Sequence, residues 1–263
     1  MLFSDEGSQR ELVYDVKANG YKLVGKGPTF LTNNEILAVC KILLASRSMV
    51  KSEMEPILDK LVDCCVPIEN SRAVKELIAN EKFHYIEPHH QSEILPLLWE
   101  IGLAIKRQLM LDIGYLRLKD QSIVTRRIQP VGLMFSEYYF YLVGYIEGIN
   151  KSEHFDNPDD IYPTIYRVDR VMEIKTTDIH FTVPYKDRFE EGEFRKRVQF
   201  MYGGALQTVK FRYTGPSIEA VLDKLPSARI IEEGESGWLI SAEVFGRGID
   251  MWLRSQGDYI QLI

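Results

Sequence analysis

The chain has 263 residues, and its 45% hydrophobic and 27% charged residues are typical of a globular protein. Its formal net charge of −6 argues against a dedicated duplex-DNA binder, because such proteins are usually basic. The longest apolar run, residues 36–44, is too short to span a bilayer. Since the N-terminus has no basic stretch followed by an apolar core, we expect no signal peptide and a cytoplasmic location.

The cysteines and histidines predict neither a disulfide framework nor a metal site. Cys64 and Cys65 are sequence neighbours and cannot form an unstrained bridge with each other. No C-x-x-C or H-x-x-x-H spacing joins the thiols to His84, His89 or His90. We therefore expect three reduced thiols, no bound metal and no cofactor.

The first half of the sequence predicts a β-hairpin followed by helices. Residues 11–25 contain two short strand-like runs around Asn19-Gly20, a dipeptide typical of hairpin turns. Apolar residues then recur with helical spacing, and Thr32 or Asn33 offers the N-cap of the first helix. Four helices are predicted, in residues 28–47, 51–65, 69–83 and 91–108.

The central part of the sequence changes to the alternating pattern of β-strands. Four strand candidates follow one another, in residues 109–118, 122–135, 138–147 and 164–174. The turns between them are short except for residues 148–163, a polar segment that predicts an exposed loop. Consecutive strands joined in this way form an antiparallel meander or a small barrel.

The last part of the chain predicts a second α+β domain. Residues 187–201 alternate acidic and basic blocks, which indicates a short helix or a linker, and Gly203-Gly204 follows as a break. Gly246 and Gly248 form only a G-x-G, which favours a loose strand-to-helix turn over a phosphate loop. The elements after the break have the β-α-β-β-α-β order of a ferredoxin-like domain, in residues 206–215, 217–226, 228–233, 237–245, 248–257 and 258–263.

The sequence contains no recognisable catalytic motif. There is no G-x-S-x-G, no phosphate-binding G-x-x-x-x-G-K-[ST], no G-x-G-x-x-G after a strand and no H-E-x-x-H. We therefore expect no catalytic residues and a protein that is not an enzyme.

Arginines and tyrosines of the central strands are the candidate binding residues. Because side chains alternate along a strand, Arg167 and Asp169 should share one face and Arg170 the other. Tyr139 and Tyr141 likewise share a face of their strand. Arginine offers a planar fork for phosphate or carboxylate, and tyrosine offers a stacking surface for a base. The pattern alone favours a solvated sheet face with Arg–Asp pairs over a binding site, because charge on an exposed sheet face is common. The binding interpretation stays open.

Several motifs of this region resemble the WYL-domain family. The segment "FYLVGY" (140–145) resembles the Trp-Tyr-Leu motif of that family, with Phe140 in the position of tryptophan. The segments "RRIQPVGL" (126–133) and "YRVDRV" (166–171) resemble its Arg-x-Val-x-Pro-x-x-Leu and Phe-Arg-Leu-Asp-Arg-Ile runs. The motifs occur in the family's order and spacing, which is more specific than any one of them.

The resemblance implies a fold, a division of the chain and a set of site residues. It implies an α+β protein with an Sm/SH3-like antiparallel β-barrel and a C-terminal extension domain with the ferredoxin-like order. The corresponding divisions are residues 1–30 (wing-like hairpin), 31–105 (helical region), 106–180 (WYL barrel) and 181–263 (extension). By position, the ligand-binding residues would be Tyr115, Arg126, Tyr141, Arg167 and Arg170, with Asp169 orienting an arginine.

The family resemblance also implies a regulatory function. WYL-domain regulators usually begin with a winged helix-turn-helix, and residues 11–25 resemble only its wing, so we expect duplex DNA binding only through a helix-turn-helix not present in this chain. The leading hypothesis is the ligand-sensing module of a bacterial transcriptional regulator that binds a nucleotide or a single-stranded nucleic acid. The alternative is a structural or homodimerisation module without ligand sensing, in which Trp252, Leu253 and Ile260 serve either the core or an interface.

Overall fold

The computed structural model describes residues 10–15, 19–25, 31–65, 68–148, 162–184 and 188–263, and these residues form an α+β fold. They contain seven α-helices and three antiparallel sheets. The helices are α1 (Asn33–Ser46), α2 (Lys51–Cys65), α3 (Ile68–Phe83), α4 (Leu95–Arg107), α5 (Glu191–Arg197), α6 (Ile218–Lys224) and α7 (Gly248–Ser255). The strands are β1 (Arg10–Asp15), β2 (Gly20–Gly25), β3 (Leu109–Leu116), β4 (Ile123–Ser136), β5 (Tyr139–Glu147), β6 (Thr164–Arg167), β7 (Val171–His180), β8 (Leu206–Tyr213), β9 (Arg229–Gly234), β10 (Gly237–Phe245) and β11 (Ile260–Leu262).

The chain divides into two compact units, residues 1–89 and 90–263. The first unit contains the predicted hairpin, in which β1 and β2 pair antiparallel with Asp15 opposite Gly20. Asn19 has a φ of +47°, a left-handed conformation that asparagine adopts more easily than most residues. Its side-chain Oδ1 accepts a hydrogen bond from the Tyr14 hydroxyl at 2.6 Å. Gly20 therefore opens the second strand, and Asn19 ends the turn.

Helix α1 begins with a complete capping box. Thr32 is the N-cap; its hydroxyl accepts a hydrogen bond from the Glu35 N–H at 3.3 Å, and the Glu35 carboxylate accepts one from the Thr32 N–H at 2.7 Å. These reciprocal bonds satisfy two backbone donors that the helix itself leaves without partners. The sequence had offered Thr32 and Asn33 as caps, and the structure selects Thr32.

We expect Thr32→Ala to lower the free energy of opening of α1 by about 1 kcal/mol, because the substitution removes the capping oxygen. The measurement is hydrogen–deuterium exchange of the α1 amides in the full chain. Thr32→Ser is the control, since it keeps the hydroxyl and should retain the protection. Equal exchange in the Ala and Ser variants would show that the cap contributes nothing.

Helices α1, α2 and α3 contact one another and bury a common apolar core. The Tyr85 hydroxyl donates a hydrogen bond to the Met49 carbonyl at 2.7 Å, which satisfies the polar end of a buried ring. The largest fully buried side chains of the three helices are Ile36, Met54 and Leu58. The predicted helical periodicity therefore corresponds to a buried stripe on each of the first two helices.

The second unit begins with α4, which contacts the five-stranded sheet β6-β5-β4-β3-β7 through strands β3, β4 and β7. The predicted barrel is not closed. Closure requires the two end strands to pair, and β6 and β7 do not pair with each other among the described residues. The short β6 instead ends in a 3₁₀ turn, Val168–Arg170, and β7 crosses to the other edge of the sheet beside β3.

This turn also corrects the prediction of one continuous strand over residues 164–174. Val168 and Asp169 are both buried inside the turn. Strand alternation does not continue through a turn, so the predicted division of faces between Arg167 and Arg170 does not hold. As described below, both arginines line the same cavity.

The C-terminal part of the second unit is a four-stranded antiparallel sheet of order β11-β8-β10-β9. Its elements follow the β-α-β-β-α-β order predicted from the sequence. Trp252 and Leu253 of α7 are buried in its core against strand residues such as Phe211, and Ile260 packs on the same cluster. These three apolar residues therefore serve the core of this domain.

Among the helices of the described residues, none is both long and apolar enough to cross a membrane.

Candidate ligand-binding site

A cavity of about 510 Å³ lies in the second unit, at the face of strands β5 and β6 and beside the segment that follows α5. Its size is in the range of small-molecule sites. The described residues that line it are Tyr115, Leu118, Tyr141, Tyr145, Ile146, Tyr162, Pro163, Thr164, Ile165, Arg167, Arg170, Phe200, Met201, Tyr202, Gly203 and Gly204. The lining combines six aromatic rings with two guanidinium groups, so it offers stacking surfaces and positive charge together.

Strands β5 and β6 place the first aromatic and cationic groups side by side. Tyr141 lies directly opposite Arg167 in the antiparallel register, so both side chains reach the same face. Burial raises the pKa of the Tyr141 hydroxyl to about 12, against the opposing effect of the Arg167 charge. The hydroxyl therefore stays protonated at neutral pH and is available as a hydrogen-bond donor.

Arg167 is held in place by two neighbours. Its Nε and Nη2 donate to the two carboxylate oxygens of Asp169 at 3.0 and 2.8 Å. Its Cζ atom lies 3.3 Å from the centre of the Tyr139 ring, a cation–π contact. The side chains of Arg167 and Asp169 are 21% and 4% exposed, so the pair is largely removed from water. Burial opposes the charge of Arg167, but the hydrogen bonds and the charge of Asp169 outweigh it and raise the arginine pKa.

His90 lies behind this pair and has no counterpart in the sequence prediction. Its ring is 6.2 Å from the Tyr139 ring, and its Nδ1 accepts a hydrogen bond from the Ser92 N–H at 2.9 Å. Burial lowers the His90 pKa; the Asp169 charge opposes this effect and the Arg167 charge adds to it. A neutral His90 therefore adds no further positive charge behind the arginine at neutral pH.

Arg170 is the available cation of the cavity. It lies at the end of the 3₁₀ turn, lines the cavity and is half-buried. Within the described part of the chain it forms no ion pair, whereas Arg167 is already bound to Asp169. A ligand anion would therefore meet less competition from protein carboxylates at Arg170 than at Arg167.

Tyr115 and Arg126, two further predicted residues, occupy different places. Tyr115 lines the cavity and meets the buried Tyr166 edge to face, with ring centres 4.9 Å apart. Arg126 donates to the neighbouring Thr125 carbonyl at 3.0 Å and is absent from the described lining. The structure thus brings Tyr115, Tyr141, Arg167 and Arg170 together, with Asp169 behind them and Arg126 outside the described cavity wall.

Phe140, the position at which the resemblance expects tryptophan, also lies outside the described cavity wall. Its ring packs against Phe135 of the adjacent strand, with centres 5.0 Å apart. The register places Phe135 and Phe140 directly opposite each other on β4 and β5. The aromatic body at this position therefore contributes to packing between strands.

The sequence prediction missed the opposite wall of the cavity, the segment Phe200–Gly204. Phe200 and Met201 have φ values of +50° and +56°, and the Tyr202 N–H donates to the Gln199 carbonyl at 3.1 Å. Positive φ at both central residues is the geometry of a type I′ turn, which costs about 1–2 kcal/mol per non-glycine residue. The one sequence signal for a special backbone here is the Gly203-Gly204 pair that follows.

Packing on both sides holds this strained turn. Met201 is buried with Met134, Val143 and Phe194, in a cluster formed by the five-stranded sheet and α5. Phe200 packs on the core of the C-terminal sheet, and the Lys224 ammonium lies 5.2 Å from the centre of its ring. The two adjacent side chains therefore join two different cores at the cavity wall.

Glycines let the C-terminal domain approach the same segment closely. A Cβ atom on Gly248 would lie 1.9 Å from the Gln199 carbonyl oxygen, and one on Gly246 would lie 2.2 Å from the Gly203 carbonyl oxygen. Gly246 also has a φ of +62°. The turn expected to be loose is therefore a tight backbone contact between the strand-to-helix connection and the cavity wall.

The described residues contain no group of three or more His, Cys, Asp or Glu side chains arranged to hold a metal ion. The chemistry offered by the cavity is that of binding: two guanidinium groups, phenol hydroxyls and aromatic faces.

Comparison with known proteins identifies the domain that carries the cavity. The described fold is that of an α+β protein whose central antiparallel sheet borders a cavity of small-molecule size. Residues 96–176 match the model of the WYL domain family, so the chain contains a WYL domain. The resemblance inferred from the sequence is confirmed for this segment, which includes all but the first residue of α4 and strands β3 to β6. The match suggests a regulatory sensing module, and no catalytic family is indicated.

Two solved structures show a looser likeness. Proteasome accessory factor B/C (PafBC) of Arthrobacter aurescens has 13% identity, covers 97% of this chain and 35% of its own, and gives a TM-score of 0.34. A CRISPR Cas-related protein has 15% identity, covers 87% of this chain and 66% of its own, and gives a TM-score of 0.39. This chain thus spans about a third of the first protein and just under two thirds of the second. No curated protein matches the sequence.

Proposed function

We propose that this chain is the ligand-sensing module of a bacterial transcriptional regulator, and that its WYL cavity binds a nucleotide-like or single-stranded nucleic-acid effector. The observation that carries the proposal is Arg170, a half-buried cation in the cavity wall with no carboxylate partner among the described residues. A half-buried guanidinium favours an anion, and phosphate suits its planar fork.

The remaining lining supports a ligand that has a ring as well as a charge. Tyr115, Tyr141 and Tyr145 lie on the sheet side and Tyr202 on the opposite wall. Aromatic side chains stack on nucleobases of any sequence. We infer that a phosphate is bound at Arg170, while Arg167, fixed by Asp169 and Tyr139, supplies a second and partly neutralised positive charge.

Signalling would follow from the composition of the cavity wall. The sheet contributes one side, and the segment Phe200–Gly204, held by Gly246 and Gly248 of the C-terminal domain, contributes the other. An effector that binds one arrangement of the two sides more tightly than another shifts the population toward it. In this proposal the output is duplex-DNA binding through a helix-turn-helix domain. Homodimerisation also remains a prediction.

The same proposal includes the finer fold assignments. The five-stranded sheet preceded by a helix and interrupted by a 3₁₀ turn before its last strand supports an Sm-like domain of open form. In the C-terminal domain, β8 and β9 are separated by β10, which pairs antiparallel with both, as in a split β-α-β unit. This arrangement supports a ferredoxin-like extension domain.

We expect Arg170→Ala to lower the affinity for thymidine 5′-monophosphate by about tenfold or more, since a charge-assisted hydrogen bond to phosphate is lost. The unfolding midpoint should stay unchanged, because Arg170 forms no ion pair within the described residues. Isothermal titration calorimetry measures the first quantity and thermal denaturation the second.

The matched control is Arg127→Ala. Arg127 lies on β4, binds Asp112 through two hydrogen bonds at 2.7 and 2.8 Å, and is absent from the described lining. The Arg127→Ala substitution removes the same charge from the same domain and should leave the affinity for thymidine 5′-monophosphate unchanged. Equal affinities for the nucleotide in wild type and Arg170→Ala would contradict the proposed site.

A further inference from the structure

A second groove lies on the C-terminal domain directly beside the cavity. It has a volume of about 320 Å³ and is lined by Tyr202, Arg247, Asp250, Met251 and Arg254. Tyr202 also lines the cavity of the WYL domain, so one side chain forms the border between the two depressions. The two depressions are therefore adjacent parts of one surface.

The groove contains two arginines, Arg247 and Arg254. Neither Arg247, which precedes α7, nor Arg254, in its last turn, forms an ion pair or side-chain hydrogen bond within the described residues. Asp250 is the one acidic residue in the described lining, and it pairs with neither. Two cations and one anion leave a net positive charge, although the whole chain carries −6.

The border residue is suited to stacking. Tyr202 is 55% exposed. Its backbone is fixed by the type I′ turn and by the hydrogen bond from its N–H to the Gln199 carbonyl. Proteins that bind single-stranded nucleic acids combine a positively charged groove with exposed aromatic rings on which the bases stack. A mononucleotide in the cavity would leave the arginines of the groove without a ligand.

We propose that the groove binds the nucleotide that follows the one held in the cavity, with the connecting backbone passing over Tyr202 and its phosphate meeting Arg247 and Arg254. This inference rests on the proposed function and makes it narrower: the effector is an oligonucleotide, and the length of the ligand is read by the C-terminal domain. The Asp250 carboxylate also lines the groove and disfavours a ligand that carries a carboxylate there.

The test compares two ligands of the same base, thymidine 5′-monophosphate and the tetranucleotide (dT)4, on wild type and on the double variant Arg247→Ala/Arg254→Ala. Affinities are measured by calorimetry at two salt concentrations. The double variant should bind (dT)4 about tenfold more weakly and bind the mononucleotide as wild type does. The slope of log affinity against log salt for (dT)4 should become shallower by about 0.7, since the contact with one phosphate is lost.

Arg229→Ala is the matched control. Arg229 is exposed on β9 of the same domain and lines neither depression. The Arg229→Ala substitution removes one charge and should change neither the affinity for the mononucleotide nor that for (dT)4.

Each other outcome overturns the inference in a distinct way. If the double variant binds (dT)4 as tightly as wild type does, the groove is not part of the binding site, and the mononucleotide site in the cavity is unaffected by this result. If the double variant binds both ligands more weakly by the same factor, the substitutions have damaged the cavity as a whole, and the proposal that the C-terminal domain distinguishes ligands by length is contradicted. Failure of wild type to bind either ligand overturns the proposed function, and the inference with it.

Discussion

Arg167→Ala is expected to destabilise the second unit by about 3 kcal/mol and to weaken nucleotide binding. The substitution leaves the Asp169 carboxylate, 4% exposed, without the guanidinium that donates both of its hydrogen bonds. Breaking a buried ion pair by removing one partner costs about 3–5 kcal/mol, and the lower end applies because Arg167 keeps 21% of its side-chain exposure. Urea unfolding and calorimetry measure the two effects.

The double variant Arg167→Ala/Asp169→Asn separates the two causes. The Asp169→Asn substitution removes the buried carboxylate charge that Arg167→Ala leaves without a partner, so a substantial part of the lost stability should return. Binding should remain weak, because the charge beside Tyr141 is still missing. If the single variant were as stable as wild type, the pair would be dispensable for the fold, and the account of Asp169 as the residue that orients Arg167 would be wrong.

Gly248→Ala is expected to destabilise the protein by about 2 kcal/mol or more and to weaken ligand binding. The new Cβ would lie 1.9 Å from the Gln199 carbonyl oxygen and 2.8 Å from the carbonyl carbon, and a backbone neighbour cannot move aside cheaply. Overpacking of this kind costs about 1–3 kcal/mol or more. Since Gln199 opens the turn that carries Phe200 and Met201, the cavity wall must shift with it.

The sign of this effect is informative because helix propensity alone predicts the reverse. Gly248 is the first residue of α7, and alanine is favoured over glycine in a helix interior by about 1 kcal/mol. The control is Gly234→Ala at the end of β9, where a Cβ would meet no heavy atom within 4 Å. Unfolding midpoints and affinities for thymidine 5′-monophosphate should fall only for Gly248→Ala. A stabilised Gly248→Ala variant would refute the tight contact.

Local patterns predicted most of the secondary structure because each element carries its own signal. The 3.6-residue spacing, the Thr32 cap and the alternation of strand residues depend on near neighbours in the chain. The exception is the run 164–174, where two strand-like halves enclose the 3₁₀ turn Val168–Arg170. A buried Asp169 that accepts both hydrogen bonds from Arg167 is a tertiary arrangement, and no alternation pattern reveals it.

The candidate site was predictable only in part for the same reason. Tyr141 and Arg167 were expected together, and the strand register places them opposite each other. Strand alternation placed Arg170 on the other face, whereas the family resemblance placed it among the binding residues. It lines the same cavity because the 3₁₀ turn interrupts the alternation. Arg126 was carried over from a resemblance between motifs, yet its position on β4 leaves it outside the described cavity wall.

By itself, the sequence determined the order of the elements and the WYL resemblance, since these follow from short-range spacing and from motifs read along the chain. Only the tertiary structure decided that the sheet stays open and that the strained turn of Phe200 and Met201 closes one side of the cavity. The same holds for the close approach of Gly248 to Gln199. These features depend on contacts between residues far apart in the chain, where the packing of neighbouring cores outweighs local conformational preference.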